Sequence, residues 1–172
     1  MSDPSAETAP QIAARRLRAA TVKFESVDPE HAAAKWALAQ YFSELDTRFD
    51  GGFDPGEPTA EEVAALRPPD GRFLLIRSDE AHIGCGALQR IDGETAEVKR
   101  MWIHSEWRGL GLGRRLLTTL ETTAGELGYL RIVLDTNSEL VEAIRMYRAA
   151  GYESIERYND NPYALHWFAK SL

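Results

Sequence analysis

Cysteine is almost absent from this sequence: Cys85 is its one occurrence, so no disulfide can form within the chain. This usage is typical of a reducing compartment, and the cytoplasm is the predicted location. Cys85 lies in the apolar run of residues 83–88, which favours a small buried side chain over a nucleophile. No apolar run approaches membrane-spanning length, and residues 1–20 lack the apolar segment of a signal peptide. Neither export nor a membrane partner is therefore predicted.

Basic charge and metal-binding patterns are also scarce. Lysine and arginine number 20 against 27 acidic residues, and the net charge of -7 disfavours a nucleic-acid surface and favours a cationic or neutral partner. The four histidines lack metal-ligand spacing, so no metal site is predicted. A hydrophobic content of 44% with 27% charged residues is typical of one globular domain in a chain of 172 residues.

Hydrophobic periodicity divides the chain into helices and strands. We predict an N-terminal extension over residues 1–20, flexible at its start and helical over residues 11–20, and then a single domain over residues 21–172. The predicted strands cover residues 22–27, 73–76, 83–90, 97–103, 130–134, 152–155 and 164–168. Helix starts are predicted from an N-cap at Asp28 and from capping boxes that begin at Thr59 and Thr136.

The chain is organised around a strand, a glycine-rich turn and a helix in succession. The strand covers residues 97–103, and the turn, with the sequence RGLGLG, covers residues 108–113. A helix follows, because apolar residues recur every three or four positions and form one face. The members of that face are Leu112, Leu116, Leu120, Ala124 and Leu127. Gly128 then suits the left-handed conformation that ends many helices.

This succession of elements predicts an anion-binding site. The first N–H groups of a helix have no partner inside it, and the helix dipole gives that end a partial positive charge. Glycines at Gly109, Gly111 and Gly113 leave room for a phosphate and permit backbone angles that other residues avoid. Arg108 and Arg114 flank the turn and are expected to contact phosphates. The first inference is a ligand that carries a pyrophosphate.

Three kinds of phosphate-binding motif compete for this turn. A P-loop requires Lys and then Ser or Thr after the last glycine, whereas Gly113 is followed by Arg114, which excludes it. A dinucleotide-binding turn is closer, since Asp135 ends the next strand at a suitable distance to bind a ribose. Its third glycine would fall at position 114, however, and the chain is short for two nucleotide-binding halves. A nicotinamide-dependent reductase therefore stays an alternative.

The third motif is a family resemblance. Residues 108–113 match the Gln/Arg-x-x-Gly-x-Gly/Ala signature of the GNAT superfamily of acetyl-CoA-dependent N-acetyltransferases, and residues 143–152 resemble its Ala-x-x-x-Tyr…Gly-Phe/Tyr segment. The resemblance extends over residues 22–169 and is sharpest over residues 97–152. It implies an α/β (α+β) GNAT fold: a mixed, mostly antiparallel twisted sheet of six to seven strands with helices on both faces. Two parallel central strands splay apart and leave a cleft for the coenzyme.

The resemblance also implies the reaction and the residues that bind the coenzyme. Acetyl-CoA, as co-substrate and without a metal, would transfer its acetyl group directly to an amine acceptor, a small molecule or a peptide amine. The residues expected to bind acetyl-CoA are Met101, Trp102, Ile103, Arg108, Gly109, Leu110, Gly111, Leu112, Gly113, Arg114, Asn137 and Ala143. The strand residues would act through main-chain groups, and the Trp102 side chain is expected to pack in the core. Leu140 stands where many relatives have asparagine, and Asn137 is expected to supply a polar contact instead.

Tyr147 and Glu97 are the expected catalytic residues. Tyr147 matches the family tyrosine near the CoA sulfur and is the predicted acid for the departing thiolate; a core aromatic is the alternative. Glu97 is the predicted base, because an alkyl ammonium has a pKa of about 10 and must lose a proton before it attacks. Two alternatives stay open for Glu97: a structural ion pair with Lys99, and a water chain that takes its role.

Other functional questions stay open at the level of sequence. A non-catalytic acyl-CoA-binding or regulatory module would keep the pocket without turnover, and it is the alternative function. The acceptor depends on the first two helices and on residues 158–162, which vary freely in such folds. A homodimer is compatible with the resemblance.

Overall fold

The computed structural model describes residues 7–79 and 81–172, so the first part of the predicted flexible start, residues 1–6, lies outside the described residues. The helices are α1 (Ala9–Ala20), α2 (Ala32–Arg48), α3 (Ala60–Ala64), α4 (Leu112–Glu126) and α5 (Val141–Ala149). The strands are β1 (Lys23–Ser26), β2 (Arg72–Arg77), β3 (His82–Arg90), β4 (Thr95–Ile103), β5 (Arg131–Thr136), β6 (Glu153–Ser154) and β7 (His166–Ser171). A short 3-10 turn, Ser105–Trp107, links β4 to the glycine-rich turn.

The strands form one seven-stranded sheet in the order β1-β2-β3-β4-β5-β7-β6. Neighbouring strands are antiparallel except β4 and β5, which are parallel. Buried residues of α4 and α5 pack on one face of the sheet and those of α2 pack on the other. The predicted fold class is therefore confirmed. A dinucleotide-binding domain is built on a largely parallel sheet instead, which excludes the reductase alternative.

The two parallel strands separate partway along their length. Their register begins with Thr95 opposite Arg131 and ends with Glu97 opposite Val133, yet β4 continues to Ile103. A β-bulge interrupts the pairing of β4 with β3 in this stretch, and Arg100 within it has a φ of 56°. Among the described strands, none pairs with β4 on its β5 side beyond Glu97. The predicted cleft between splayed strands forms there.

Burial of one face of α4 holds the glycine-rich turn against the sheet. Leu112, Leu116, Leu120 and Ala124 are buried, which confirms the predicted apolar face of this helix. Full burial of each leucine side chain stabilises the folded protein by about 1.5–3 kcal/mol relative to leaving that side chain exposed. Gly128 follows the helix with a φ of 90°, as predicted for its end. The turn that precedes α4 is thus attached to a rigid helix.

The opposite face of the sheet contains Cys85 and the Trp102 side chain, which pack beneath α2 with Ala34 and Ala37. Cys85 is 0% exposed, and burial raises the pKa of its thiol to about 12. This confirms the prediction of a buried, unreactive side chain. The predicted core position of the Trp102 ring is confirmed in the same way.

Two predicted helix starts are wrong, while the capping box at Thr59 is confirmed. Helix α2 begins at Ala32 with His31 as N-cap, because the Asp28 carboxylate instead accepts a hydrogen bond from the Glu30 N–H and pairs with Arg67. Helix α5 begins at Val141 without a side-chain cap, since Thr136 is the last residue of β5. The final strand also begins later than predicted, at His166.

The predicted N-terminal helix is present as α1, and its arginines attach it to the loop before the glycine-rich turn. Arg15 donates hydrogen bonds to the main-chain oxygens of Glu106 and Arg108, at 2.9 and 3.3 Å. Arg115 of α4 donates to the oxygen of Ala19 at 2.6 Å. The basic residues thus stabilise the position of the turn.

Candidate active site

The glycine-rich turn has the backbone geometry expected of an anion site. Gly109 and Gly111 have φ values of 74° and 77°, in the left-handed region that favours glycine. Gly111 is the N-cap of α4 and, having no side chain, leaves the helix start uncapped. Gly113 lies in the first turn of the helix, where an added Cβ would lie 3.4 Å from the Met146 sulfur. The prediction of unusual backbone angles is confirmed at the first two glycines.

The main-chain N–H groups of residues 109–114 are unpaired within the described part of the chain. The first hydrogen bond inside α4 runs from the Arg115 N–H to the Gly111 oxygen at 3.0 Å. None of the N–H groups from Gly109 to Arg114 donates to another residue in the described part of the chain. A run of unpaired donors at the positive end of a helix dipole favours a bound anion.

The glycine-rich turn and the start of α4 line a cavity of about 380 Å³, here called the first cavity. It extends past the end of β4 to α5. Most residues predicted to bind the coenzyme line it. They are Met101, Trp102, Ile103, Arg108, Gly109, Gly111, Leu112, Gly113, Arg114 and Ala143. Leu110 instead faces a surface pocket beside α1, and Asn137 lines a second cavity.

Arg108 is held inside the first cavity by a partner that the sequence analysis missed. Its guanidinium donates to both oxygens of Glu44, at 2.7 and 2.6 Å, and to the Ile103 oxygen at 2.9 Å. Trp102 donates to the same Glu44 carboxylate through Nε1 at 2.9 Å. Burial opposes ionisation of Glu44, but these hydrogen bonds outweigh it and hold its pKa below the usual value. The result is a fixed ionised pair at the cavity wall.

Tyr147 lies where the first cavity meets the second, and it lines both. Its side chain is buried, and its hydroxyl lies 3.9 Å from the Met101 sulfur. Burial raises the pKa of this phenol, and the charge of Asp135 raises it further. The hydroxyl therefore stays protonated at neutral pH and is available as a hydrogen-bond donor at the junction.

The second cavity has a volume of about 450 Å³ and lies between α2, the splayed end of β4 and the segment before β7. Its charged lining includes Asp135, Lys99 and Arg100. The Asp135 carboxylate accepts hydrogen bonds from Asn159 at 2.5 Å and Asn161 at 3.1 Å. Burial raises the pKa of Asp135, and the charge of Glu97 raises it further, whereas the hydrogen bonds from the two asparagines lower it. The sequence analysis had considered Asp135 only as a ribose ligand.

Glu97 is enclosed by polar side chains and lines neither cavity. It is 5% exposed. Its carboxylate accepts hydrogen bonds from Gln89 at 2.5 Å, Tyr158 at 2.8 Å and Asn159 at 3.4 Å. The Lys99 ammonium lies 3.5 Å away, which is the ion pair left open as an alternative. Of these contacts, only Lys99 lines the second cavity, so Glu97 lies behind its wall.

No group of three His, Cys, Asp or Glu side chains suited to a metal ion occurs among residues 7–79 and 81–172. Within the same residues, no helix combines the length and apolar character needed to cross a membrane.

Comparison with known proteins gives the same assignment as the geometry. Residues 32–152 match the model of the acetyltransferase (GNAT) family. An IAA acetyltransferase of Azospirillum brasilense is 36% identical over 118 residues, which cover 67% of this chain and 76% of that protein. An uncharacterized N-acetyltransferase of Schizosaccharomyces pombe is 36% identical over 132 residues, 74% of this chain and 79% of the relative. The solved structure of an Elizabethkingia anophelis GNAT family acetyltransferase with acetyl-CoA bound has the same fold, at 17% identity and a TM-score of 0.62, over 88% of this chain and 98% of the other. The chain therefore belongs to the GNAT family of acetyltransferases.

Proposed function

We propose that this N-acetyltransferase binds acetyl-CoA in the first cavity and its amine acceptor in the second, and that the acetyl group passes directly between them at Tyr147. The observation that carries the proposal is the run of N–H groups at the start of α4 that have no partner among the described residues, beside a cavity that Tyr147 also lines. Acetyl-CoA is the general donor of the family, and the E. anophelis neighbour contains it.

The proposed contacts follow the length of the coenzyme. The diphosphate accepts hydrogen bonds from the N–H groups of residues 110–114, with Arg108 and Arg114 beside it. Leu110 contributes only its main chain, since its side chain faces α1. The pantetheine arm binds main-chain groups of Met101, Trp102 and Ile103, where β4 lacks β5 as a partner. Ala143 packs against the arm, and Asn137 contributes from the second cavity.

Direct transfer requires a nitrogen lone pair and a stabilised leaving group. The neutral amine attacks the thioester carbon, a C–N bond forms, and the C–S bond breaks to release CoA as a thiolate. The amine nitrogen gives its proton to a base, and the thiolate gains a proton from water, since a free thiol has a pKa of about 8.5. Tyr147 is more basic than that when ionised, so we assign it the donation of a hydrogen bond to the sulfur rather than complete proton transfer.

Among the carboxylates around the second cavity, which include Asp54 and Glu62, Asp135 and Glu97 lie on the two splayed strands and are the candidates for the base. Asp135 lines the cavity proposed for the acceptor and has a raised pKa, which brings its basicity closer to that needed near neutral pH. Glu97, the base predicted from the sequence, is surrounded by four side chains. We therefore propose that Asp135 accepts the proton. Glu97 would be a positioning residue that holds Asn159 beside Asp135 and raises the pKa of that carboxyl.

The pH dependence of kcat/KM separates these two roles. A base works in its ionised form, so activity falls as the pH drops through its pKa, and a raised pKa moves this acid limb above the ordinary aspartate value. We expect Asp135→Asn to lower kcat/KM by about 100-fold and to remove the limb, as loss of a general base does. Glu97→Gln is expected to retain activity and move the limb to lower pH. Loss of activity in Glu97→Gln with an active Asp135→Asn would instead identify Glu97 as the base.

A panel of primary amines tests the proposed function as a whole. Calorimetry with acetyl-CoA measures coenzyme binding, and release of the CoA thiol in the presence of each amine measures transfer. We expect saturable binding and amine-dependent thiol release, with the N-acetyl product detected by mass spectrometry. Binding without turnover on every class of amine would favour the non-catalytic module over this proposal.

The finer assignments from the sequence are also proposals. We propose that residues 21–172 form the catalytic domain, which is supported by a sheet whose first strand begins at Lys23. The reaction is proposed to need no metal ion, since hydrogen-bond donors and a carboxylate supply the required groups. We also propose that the enzyme acts in the cytoplasm and has neither nucleic acid nor a membrane as a partner. The net charge of -7 and the free thiol of Cys85 support this proposal. A homodimer stays a prediction of the resemblance.

A further inference from the structure

Arg100 projects from the β-bulge of β4 into the second cavity. Its φ of 56° is a left-handed conformation that residues other than glycine rarely adopt, and bulges commonly redirect a side chain toward a functional site. The residue is half-buried, and burial lowers the pKa of its guanidinium without discharging it. A positive charge is thus held at the wall of the cavity proposed for the acceptor.

Arg100 is a half-buried arginine without an ion-pair partner in the described part of the chain. Arg48 pairs with Glu142 and Arg108 pairs with Glu44. For the Arg100 side chain, no hydrogen bond and no carboxylate within 4.0 Å is present among the described residues, and its contact is the Phe42 ring at 6.0 Å. Glu62 lines the same cavity and favours the charge of Arg100 from beyond 4.0 Å, so a carboxylate brought by a ligand would supply the direct ion pair that the described residues do not. Its planar guanidinium suits a carboxylate, which it binds through two parallel hydrogen bonds.

An aromatic cluster forms another side of the same cavity. It consists of Phe42, Phe49, Phe53 and Tyr163, all of which except Phe42 belong to the loops that follow α2 and precede β7. The rings are contiguous: Phe53 lies 4.6 Å from Tyr163 and 5.5 Å from Phe42 between ring centroids. Such a surface favours an aromatic or large apolar group of a ligand. Asp135 supplies the opposite charge to Arg100 within the same cavity.

We infer that the acceptor is an amino acid with an aromatic or large apolar side chain. Its carboxylate pairs with Arg100, its amine lies near Asp135 and Tyr147, and its side chain packs on the aromatic cluster. The inference rests on the proposed function, because it assigns the acceptor of that reaction. A cavity of about 450 Å³ is suited to such a ligand. Acetylation removes the positive charge of the amine, so the product loses its attraction to Asp135 and leaves.

Matched acceptors test the carboxylate contact directly. L-Phenylalanine, L-phenylalaninamide and phenethylamine share a ring and an amine, and only the first carries a carboxylate. We expect wild-type kcat/KM to be about 100-fold higher for phenylalanine than for its amide, as expected for a desolvated charge pair. Arg100→Gln is expected to lower the value for phenylalanine to that of the amide, mainly through KM. Its kcat/KM for the amide and its Kd for acetyl-CoA are expected to stay unchanged.

Two control variants accompany this experiment. Arg90→Gln removes the same charge from an exposed pair with Asp70 at the other end of the sheet, and we expect wild-type kinetics. Arg100→Lys keeps the charge and is expected to restore part of the preference for phenylalanine. Equal losses on all three acceptors in Arg100→Gln, or a wild-type preference for the amide, would overturn the inference while leaving the proposed function intact.

The opposite failure is distinguishable as well. If acetyl-CoA binds but no amine is acetylated, the proposed function fails, and calorimetry of phenylalanine with the CoA-bound protein tests the carboxylate site alone. Equal affinity of wild type and Arg100→Gln in that titration would overturn the assignment of Arg100. A large loss of affinity in the variant would support the carboxylate contact.

Discussion

Replacement of Gly111 by valine is expected to weaken acetyl-CoA binding by at least about 100-fold, or about 2.7 kcal/mol. The φ of 77° at Gly111 costs a residue other than glycine about 1–2 kcal/mol, and a β-branched side chain tolerates it least. A Cβ added there meets no heavy atom within 4 Å, so valine would not clash with the protein but would occupy space at the mouth of the first cavity. Both effects act where the diphosphate is proposed to bind.

Gly128→Val is the matched control for that experiment. Gly128 follows the opposite end of α4 with a φ of 90°, and an added Cβ there also meets no heavy atom within 4 Å. The two variants therefore share the backbone strain, and both are expected to lower the Tm. Calorimetry is expected to show normal acetyl-CoA affinity in Gly128→Val alone. Similar affinities in both variants would mean that the start of α4 does not bind the coenzyme.

The site that these experiments probe was predictable from the sequence where it depends on neighbouring residues. Left-handed glycines need no long-range information, because Gly109, Gly111 and Gly128 stand at a turn or beside a helix end. The apolar face of α4 followed from spacing for the same reason. The fold class in turn followed from two motifs in the right order, supported by the alternation of helices and strands.

Features that depend on contacts between residues distant in sequence could not be predicted from the same sequence. Asp28 is a residue type that commonly caps helices, but its carboxylate accepts a hydrogen bond from Arg67, which is distant in sequence. In the sequence, Arg100 is one of several charged residues of a predicted strand. The bulge that contains it is visible only in the register of β3 against β4. Asp135 and Glu97 lie on adjacent strands of the splayed pair, and they accept hydrogen bonds from Asn159 and Tyr158, respectively, which are distant in sequence. These side chains carry the proposed chemistry, and no local sequence pattern identifies their partners.

Tyr147→Phe is expected to lower kcat by about 100-fold, the lower end of the effect of losing one hydrogen-bond donor to the charge that develops in the transition state. The removed hydroxyl has a weak contact, the Met101 sulfur at 3.9 Å, so stability and acetyl-CoA affinity are expected to change little. Its raised pKa keeps it protonated across the neutral range, and the pH profile of the remaining activity is therefore expected to keep the acid limb of Asp135. Stopped-flow measurement of thiol release at saturating acetyl-CoA reports the chemical step.

The ring beside Tyr147 provides a control for loss of a buried hydroxyl as such. Tyr152 lies 5.8 Å from Tyr147 between ring centroids and is also buried, but it lines neither cavity. Tyr152→Phe is expected to keep wild-type kcat, because its hydroxyl is remote from the proposed thioester. A hydroxyl that acts only when the thiolate forms affects kcat and leaves Kd unchanged, since binding precedes the charge that it stabilises. Equal kcat values for Tyr147→Phe and wild type would therefore assign Tyr147 to packing. The thiolate would then be stabilised and protonated by water alone.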